Sequence, residues 1–132
     1  MERLHLNTTR RTELIDITAQ VKRLVADSGV KHGICTVYVP HTTAGVTINE
    51  AADPDVRRDL LAEMNKIVPF EDDYAHREGN SAAHIKATML GSSACIPIAE
   101  GRLALGTWQG VFFGEFDGPR GRSVYVQVTS AM

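Results

Sequence analysis

The stretch LALGTWQGVFFGEF, residues 103–116, indicates how this chain folds. In its second half, Phe112 and Phe116 fall on one side of a strand, and Val111 and Phe113 fall on the other. A strand with one wet face carries polar side chains on that face, whereas this strand has large apolar groups on both. We therefore predict a β-sheet that is covered by other layers on its two sides.

Most of the other apolar stretches also have the length and composition of strands. They are residues 3–9, 13–17, 33–39, 41–50, 92–98 and 122–130. The DGPRG segment (117–121) has the composition of a hairpin turn, which favours antiparallel pairing of the strands beside it. The pattern predicts a single domain, residues 1–132, of the α+β class with an antiparallel, sandwich-like β-sheet.

Three short helices complete the predicted fold, and each has a recognisable beginning. Thr18 can cap the first, which runs to about residue 27, and Asp53 with the following Pro54 starts the second. The third covers SAAHIKATML, residues 81–90, and ends at Gly91. About three short helices against many strands again indicate an α+β fold.

Composition excludes several classes of partner. The chain has 43% hydrophobic and 23% charged residues, a formal charge of −2 and a pI near 6.2. These values predict no binding to nucleic acid and no membrane association, and an N-terminus without an apolar stretch favours a cytoplasmic location. Cys35 and Cys95 each lie in an apolar stretch, so we expect buried, reduced thiols.

The stretch HTTAGVTINE, residues 41–50, divides into two unlike faces when it is read as a strand. The apolar face is predicted to anchor the strand in the core and holds Ala44, Val46 and Ile48. The opposite face is mostly polar and holds His41, Thr43, Gly45, Thr47 and Asn49. We expect the polar face to form one wall of a pocket.

Three of the five histidines have neighbours that indicate a site: His41, His76 and His84. Asn80 lies four residues before His84, so the two share a helix face, and the free N–H groups of residues 81–83 can hold a phosphate. Lys86 points away from His84 on a regular helix. A site formed between subunits is therefore an open alternative.

Two charged segments admit two interpretations each. Arg120 and Arg122 flank Gly121 and can grip a carboxylate or phosphate, but they can equally stabilise the turn through an ion pair with Glu115. The acidic residues 71–73 can bind magnesium, although a solvated loop is the favoured interpretation.

Three long motifs resemble the YjbQ family over much of the chain. They are HTTAGVTINEAADPDVRRDL (41–60), HREGNSAAHIKATMLGSS (76–93) and LGTWQGVFFGEFDGPRGR (105–122). The resemblance implies a homotrimeric YjbQ-like fold and a weak, secondary thiamine-phosphate synthase activity. That reaction joins a pyrimidine diphosphate to a thiazole phosphate and releases pyrophosphate. The physiological reaction of such proteins can differ from it.

The same resemblance implies a pocket among the motif residues, and we add a role for each as a hypothesis. The predicted catalytic residues are His41, His76, His84, Glu50 and Asp53. The residues predicted to hold a phosphorylated small metabolite are Thr42, Thr43, Asn49, Asn80, Ser81, Arg120 and Arg122. A divalent metal, Mg²⁺ or Zn²⁺, is a possible cofactor, with His41, His76 and His84 as its ligands. The alternatives are a metal-dependent hydrolase or lyase and a non-catalytic protein that binds an anionic metabolite.

Overall fold

A computed structural model describes residues 1–131 and contains eight strands and three helices over that range. In chain order these are β1 (Glu2–Asn7), β2 (Glu13–Asp16), α1 (Thr18–Ser28), β3 (Gly33–Tyr38), β4 (Ala44–Glu50), α2 (Pro54–Ile67), α3 (Ser81–Leu90), β5 (Ser93–Ala99), β6 (Arg102–Leu103), β7 (Gln109–Glu115) and β8 (Gly121–Ser130). The predicted α+β class with three helices is confirmed.

All strand pairs are antiparallel and form two sheets. The larger sheet has the order β1-β8-β3-β5-β6, and the smaller has the order β2-β7-β4. The predicted sandwich-like arrangement is also confirmed, because side chains from both sheets pack into one apolar core. Within it, Val37 and Val126 of the larger sheet are buried together with Val111 and Phe113 of β7.

The other face of β7 is covered by helices, as the aromatic pattern of residues 111–116 predicts. Phe112 of β7 lies against Arg57 of α2, and Phe116, which directly follows β7, packs with Ala83 and Ala87 of α3 in a second apolar cluster. β7 therefore has a layer on each side.

Two paired glycines let α3 approach the smaller sheet. Gly45 of β4 pairs with Gly114 of β7. A methyl group on Gly45 would lie 2.6 Å from the Gly91 carbonyl oxygen, and one on Gly114 would lie 2.5 Å from Leu90 Cδ2. At Gly45 the obstacle is backbone, so only hydrogen fits there, whereas a methyl group on Gly114 would displace the end of the Leu90 side chain.

Several predicted boundaries were wrong. β4 begins at Ala44, so residues 41–43 precede the strand, and the single strand predicted for 103–116 is two strands separated by residues 104–108. Trp108 lies in that connection and is 63% exposed. Thr18 is the first helical residue and not the cap, because its hydroxyl oxygen accepts a hydrogen bond from the Val111 N–H. Within residues 1–131, no helix is both long and apolar enough to span a bilayer.

Candidate functional site

A cavity of about 490 Å³ lies between the start of β4 and helix α3. We call it the histidine cavity, and it is lined by His41, Thr42, Ala44, His84, Ala87, Thr88, Gly91 and Ser92. Its size is typical of sites for small metabolites. Two of the three predicted histidines therefore converge, although they come from different elements.

His41 is held by the backbone of β8. The Ser123 N–H donates a hydrogen bond of 2.9 Å to His41 Nε2. Burial, reinforced by the nearby Arg122 guanidinium, lowers the pKa of His41 below its usual value of 6.5. The ring is therefore neutral at pH 7, and because Nε2 accepts, the ring proton is on Nδ1. His41 can donate a hydrogen bond to a ligand through Nδ1–H.

His84 lies next to His76, which does not line the histidine cavity. Their rings meet edge to face with centroids 5.4 Å apart, and His76 Nε2 lies 3.8 Å from a Glu78 carboxylate oxygen. Both histidines also line an adjacent cavity of about 480 Å³, together with Ser81. The loop before α3 and the first turn of α3 thus place His76, Ser81 and His84 around one cavity.

A buried ion pair lies beneath this region. Arg122 Nε and Nη2 donate to the two carboxylate oxygens of Glu115 at 2.8 and 2.5 Å, and Nη2 also donates to Thr43 Oγ1 at 2.8 Å. The Thr8 hydroxyl donates to the same carboxylate at 2.8 Å. Burial alone raises the pKa of Glu115, but the hydrogen bonds from Arg122, the Asp117 N–H and Thr8 outweigh it and lower that pKa.

This ion pair decides between the two interpretations of Arg122. The Arg122 side chain is 3% exposed and donates its hydrogen bonds to Glu115 and Thr43. Arg122 therefore forms the predicted ion pair with Glu115 and is not free to grip a ligand. Within one protomer, neither Arg122 nor Thr43 lines the histidine cavity. Both instead position the segment that carries His41, since Thr43 is only two residues after it.

Asn80 and Arg120 both contact the Asp117 carboxylate, which the sequence analysis did not include in the site. Asn80 Nδ2 and Arg120 Nη2 both donate to Asp117 Oδ2, at 3.0 and 3.2 Å. Asn80 precedes α3 but forms no capping hydrogen bond through its side chain, and its Oδ1 is buried without a partner. Arg120 is half exposed and remains available to an anion.

Three predicted site residues lie elsewhere, and each has a local structural role. Asn49 Oδ1 accepts from the Glu50 N–H, and Glu50 Oε2 accepts from the Ala52 N–H. Asp53 caps α2 by accepting from the Asp55 N–H at 2.9 Å. None of the three lines the histidine cavity of its own protomer. They are close to His41 in sequence, but Asn49 and Glu50 lie at the far end of β4 and Asp53 lies in the turn beyond it, whereas the cavity is at the start of β4.

The predicted metal site does not form from residues 1–131 of one chain. Over that range, no group of three or more His, Cys, Asp or Glu side chains is arranged to hold a metal ion. For His41 the reason is local: its Nε2 lone pair accepts from Ser123, and Nδ1 carries the proton. Within one protomer His41 is therefore placed to donate a hydrogen bond, and the metal-ligand role of His41, His76 and His84 stays a prediction.

Sequence reasoning missed Thr88 as a lining residue. It lies one helical turn after His84, and its hydroxyl donates to the His84 carbonyl oxygen at 2.9 Å. The spacing of four from His84 is the signal that would have identified it.

Comparison with known proteins agrees with the fold and the motifs. The family model described as UPF0047 protein YjbQ-like matches residues 2–131. The UPF0047 protein YugU of Bacillus subtilis is 46% identical over 97% of this chain and 98% of its own length. The UPF0047 protein MJ1081 of Methanocaldococcus jannaschii is 50% identical over 93% of this chain and 89% of its own.

Solved structures give the same result. A YjbQ/UPF0047 family protein of Clostridium acetobutylicum superposes with a TM-score of 0.96 at 53% identity and covers 98% of this chain and 100% of its own. A protein of unknown function from Sulfolobus solfataricus has a TM-score of 0.94 at 36% identity, covering 98% of this chain and 95% of its own. The chain therefore belongs to the YjbQ (UPF0047) family.

Proposed function

We propose that the histidine cavity binds a small phosphorylated metabolite and that the protein is a weak, secondary thiamine-phosphate synthase. The observation that carries this proposal is the convergence of His41 and His84 on one cavity of about 490 Å³ with hydroxyl groups at Thr42, Thr88 and Ser92. The histidines and the Thr42 and Ser92 hydroxyls supply hydrogen-bond donors without adding a carboxylate to the wall, while the Thr88 hydroxyl, which donates to the His84 carbonyl, offers its oxygen as an acceptor. Such a wall favours a phosphorylated ligand.

The proposed reaction needs charge stabilisation more than it needs a base. The thiazole nitrogen forms a bond to the pyrimidine methylene carbon while the bond from that carbon to the diphosphate oxygen breaks, and pyrophosphate leaves with the electron pair. His41 Nδ1–H is a neutral donor that is oriented before the ligand arrives, because Ser123 holds the other ring nitrogen. His84 and, in the adjacent cavity, His76 and Ser81 complete the donor set.

A divalent metal, if one is used, would supply charge neutralisation of the leaving diphosphate. The donor set of one protomer does not fit a protein-held metal, since residues 1–131 contain no cluster of three suitable ligands. We therefore assign no step to a metal.

We also propose a homotrimer. The outer face of the larger sheet carries Ile34 and Tyr38, each 46% exposed, and Tyr38 stacks on Tyr125 at a centroid distance of 6.4 Å. Apolar side chains on an open sheet face favour contact with another chain. Light scattering during gel filtration measures the oligomeric state.

We propose a cytoplasmic location as well. Cys95 is exposed and only Cys35 is buried, which corrects the expectation of two buried thiols. Both thiols are free, which supports the proposed location.

The proposed activity is tested with the pyrimidine diphosphate and the thiazole phosphate as substrates. We expect His84→Ala and His41→Ala to lower thiamine-phosphate formation at least tenfold, whereas His32→Ala, an exposed histidine outside both cavities, leaves the rate unchanged. Product formation that is equal in all four proteins would overturn the assignment of this cavity. Ligand binding that is lost in His84→Ala, with no turnover in the wild type, would favour the non-catalytic alternative.

A further inference from the structure

A second cavity, of about 450 Å³, lies on another part of the surface, between α2 and the loop that joins β1 to β2. Three arginines line it: Arg10 from the loop, and Arg57 and Arg58 from α2. We call it the arginine cavity. It shares no lining residue with the histidine cavity, and the proposed function makes no use of it.

The three guanidinium groups have no carboxylate partner in the described chain. The ion pairs formed by residues 1–131 involve Lys66, His76, Arg120 and Arg122 and none of the cavity arginines. Surface arginines often lack a partner, so this fact alone indicates little. It does leave all three groups available to a ligand.

Arg57 carries the more specific signal. Its Nε is buried and has no hydrogen-bond partner, while its Cζ lies 5.1 Å from the centroid of the Phe112 ring. A buried N–H of a charged group is almost always hydrogen-bonded, because leaving it without a partner costs free energy. The Phe112 ring supports the guanidinium plane but accepts no N–H···O bond. Arg57 is therefore held in place with a donor unused.

The wall of the arginine cavity has a net positive charge. Three arginines face a single carboxylate, that of Glu13, which leaves a net charge of +2. Glu13 is also engaged locally, since its Oε1 accepts from the Thr9 N–H at 2.7 Å and from the Arg10 N–H. It holds the loop in position and offsets the arginines only in part.

A further positive group lies behind the wall. Asn65 lines the cavity, and its Oδ1 accepts from Lys86 Nζ at 2.6 Å. Lys86 is fully buried on α3 with no carboxylate beside it; its Nζ lies 4.0 Å from the centroid of the Phe70 ring. Burial, with a contribution from Arg11, lowers the pKa of Lys86 to about 8, so most of its charge remains at pH 7.

We propose that the arginine cavity is a binding site for a phosphate monoester that carries a short apolar group. A phosphate monoester has a charge of about −1.5 to −2 at pH 7, which matches the net charge of the wall. Guanidinium groups bind phosphate oxygens in pairs through parallel N–H donors. Leu14 and Leu61 supply an apolar surface in the same cavity for the rest of the ligand.

The test uses calorimetry on the full chain with phenyl phosphate and inorganic phosphate as probes. Phenyl phosphate is expected to bind more tightly than inorganic phosphate, because its ring can contact the two leucines. Arg57→Gln and Arg58→Gln are each expected to weaken phenyl phosphate binding at least tenfold. Arg23→Gln is the matched control, since Arg23 is an exposed arginine on α1 outside both cavities, and it should bind like the wild type.

A second readout locates the ligand. In a ¹⁵N spectrum, the Arg57 Nε–H signal should shift on addition of phenyl phosphate, because a phosphate bound by the Arg57 guanidinium changes the surroundings of this group. His84→Ala should keep the Arg57 shift whether or not the histidine cavity also takes up the probe, which separates this proposal from the proposed function. If Arg57→Gln does not fold, as judged by circular dichroism, Arg58→Gln and Arg10→Gln carry the same test.

Three results would overturn the proposal. The first is the absence of saturable phenyl phosphate binding by the wild type. The second is equal affinity in the wild type and the folded arginine variants. The third is binding that is lost in His84→Ala and kept in Arg57→Gln, since the probe would then occupy the histidine cavity.

Discussion

Arg122 and Arg57 are two arginines whose surroundings differ in one decisive respect. Arg122 has its charge matched within the chain, by the Glu115 carboxylate and Thr43. Arg57 has a buried Nε without any partner. A guanidinium with all its partners inside the fold serves stability and positioning, whereas one with unused donors at a cavity is available to a ligand. The same type of residue thus has its partners inside the fold in one place and lacks them in the other.

The largest effect is expected from breaking the buried ion pair between Arg122 and Glu115. Arg122→Met leaves the Glu115 carboxylate buried without its cation, and we expect a loss of about 3–5 kcal/mol in the free energy of unfolding. Urea denaturation at pH 7 measures it. The double variant Arg122→Met/Glu115→Gln should recover much of the loss, because no charge then remains buried. A double variant as unstable as the single one would contradict this account.

Arg120→Met is the matched control for that experiment. Arg120 also forms an ion pair, with Asp117 at 3.2 Å, but its side chain is 51% exposed. Exposed pairs contribute about 0–1 kcal/mol, so this variant should denature nearly like the wild type.

The second prediction concerns the close approach of α3 to the smaller sheet, which forms the wall of the histidine cavity. Gly45→Ala places a methyl group 2.6 Å from the Gly91 carbonyl oxygen, so α3 must shift. We expect a destabilisation of about 1–3 kcal/mol together with weaker ligand binding in the histidine cavity. Gly121→Ala is the control, because its nearest contact would be an ordinary 3.7 Å. Equal stability of the two variants would argue against a tight helix–sheet contact.

The third prediction follows from the lowered pKa of Glu115. A carboxyl group whose pKa is lower in the folded than in the unfolded protein binds fewer protons when folded, so it adds stability above the unfolded value. For Glu115 that stability should be present above the usual pKa of 4.5 and should be lost as the pH falls through the lowered folded value. In the Arg122→Met/Glu115→Gln protein, urea denaturation between pH 5 and pH 3 should show a shallower decline. An unchanged slope would mean that other carboxyl groups dominate acid unfolding.

The smallest effect separates His41 from the other histidines. Its pKa is lowered by burial and by Arg122, so an NMR titration should find His41 neutral down to a pH below 6.5. The pattern of one-bond and two-bond ¹⁵N couplings should report a proton on Nδ1 and none on Nε2. A proton on Nε2 would contradict the hydrogen bond from Ser123.

Much of the fold could be predicted from local pattern. The apolar groups on both faces of residues 111–116 predict a strand between two layers, and β7 lies between the sheet core and α2–α3. The Asp53-Pro54 start of α2 is also confirmed, because a cap depends only on neighbouring backbone. Of the predicted polar face, His41 lines the histidine cavity, whereas Thr43 accepts from Arg122 and α3 packs close to Gly45.

The sequence by itself determined the family, the α+β class, the covered sheet and the histidines that line the candidate site. These follow from periodicity and from long motifs, which are local properties of the chain. Tertiary structure alone decided which charged groups have partners: Glu115 reaches Arg122 and Thr8, Asp117 joins Asn80 to Arg120, and Arg57 is left with a free donor. The physical reason is that a charge or a hydrogen bond is satisfied by whatever lies within about 3 Å in space, and strand pairing brings together residues that are far apart along the chain.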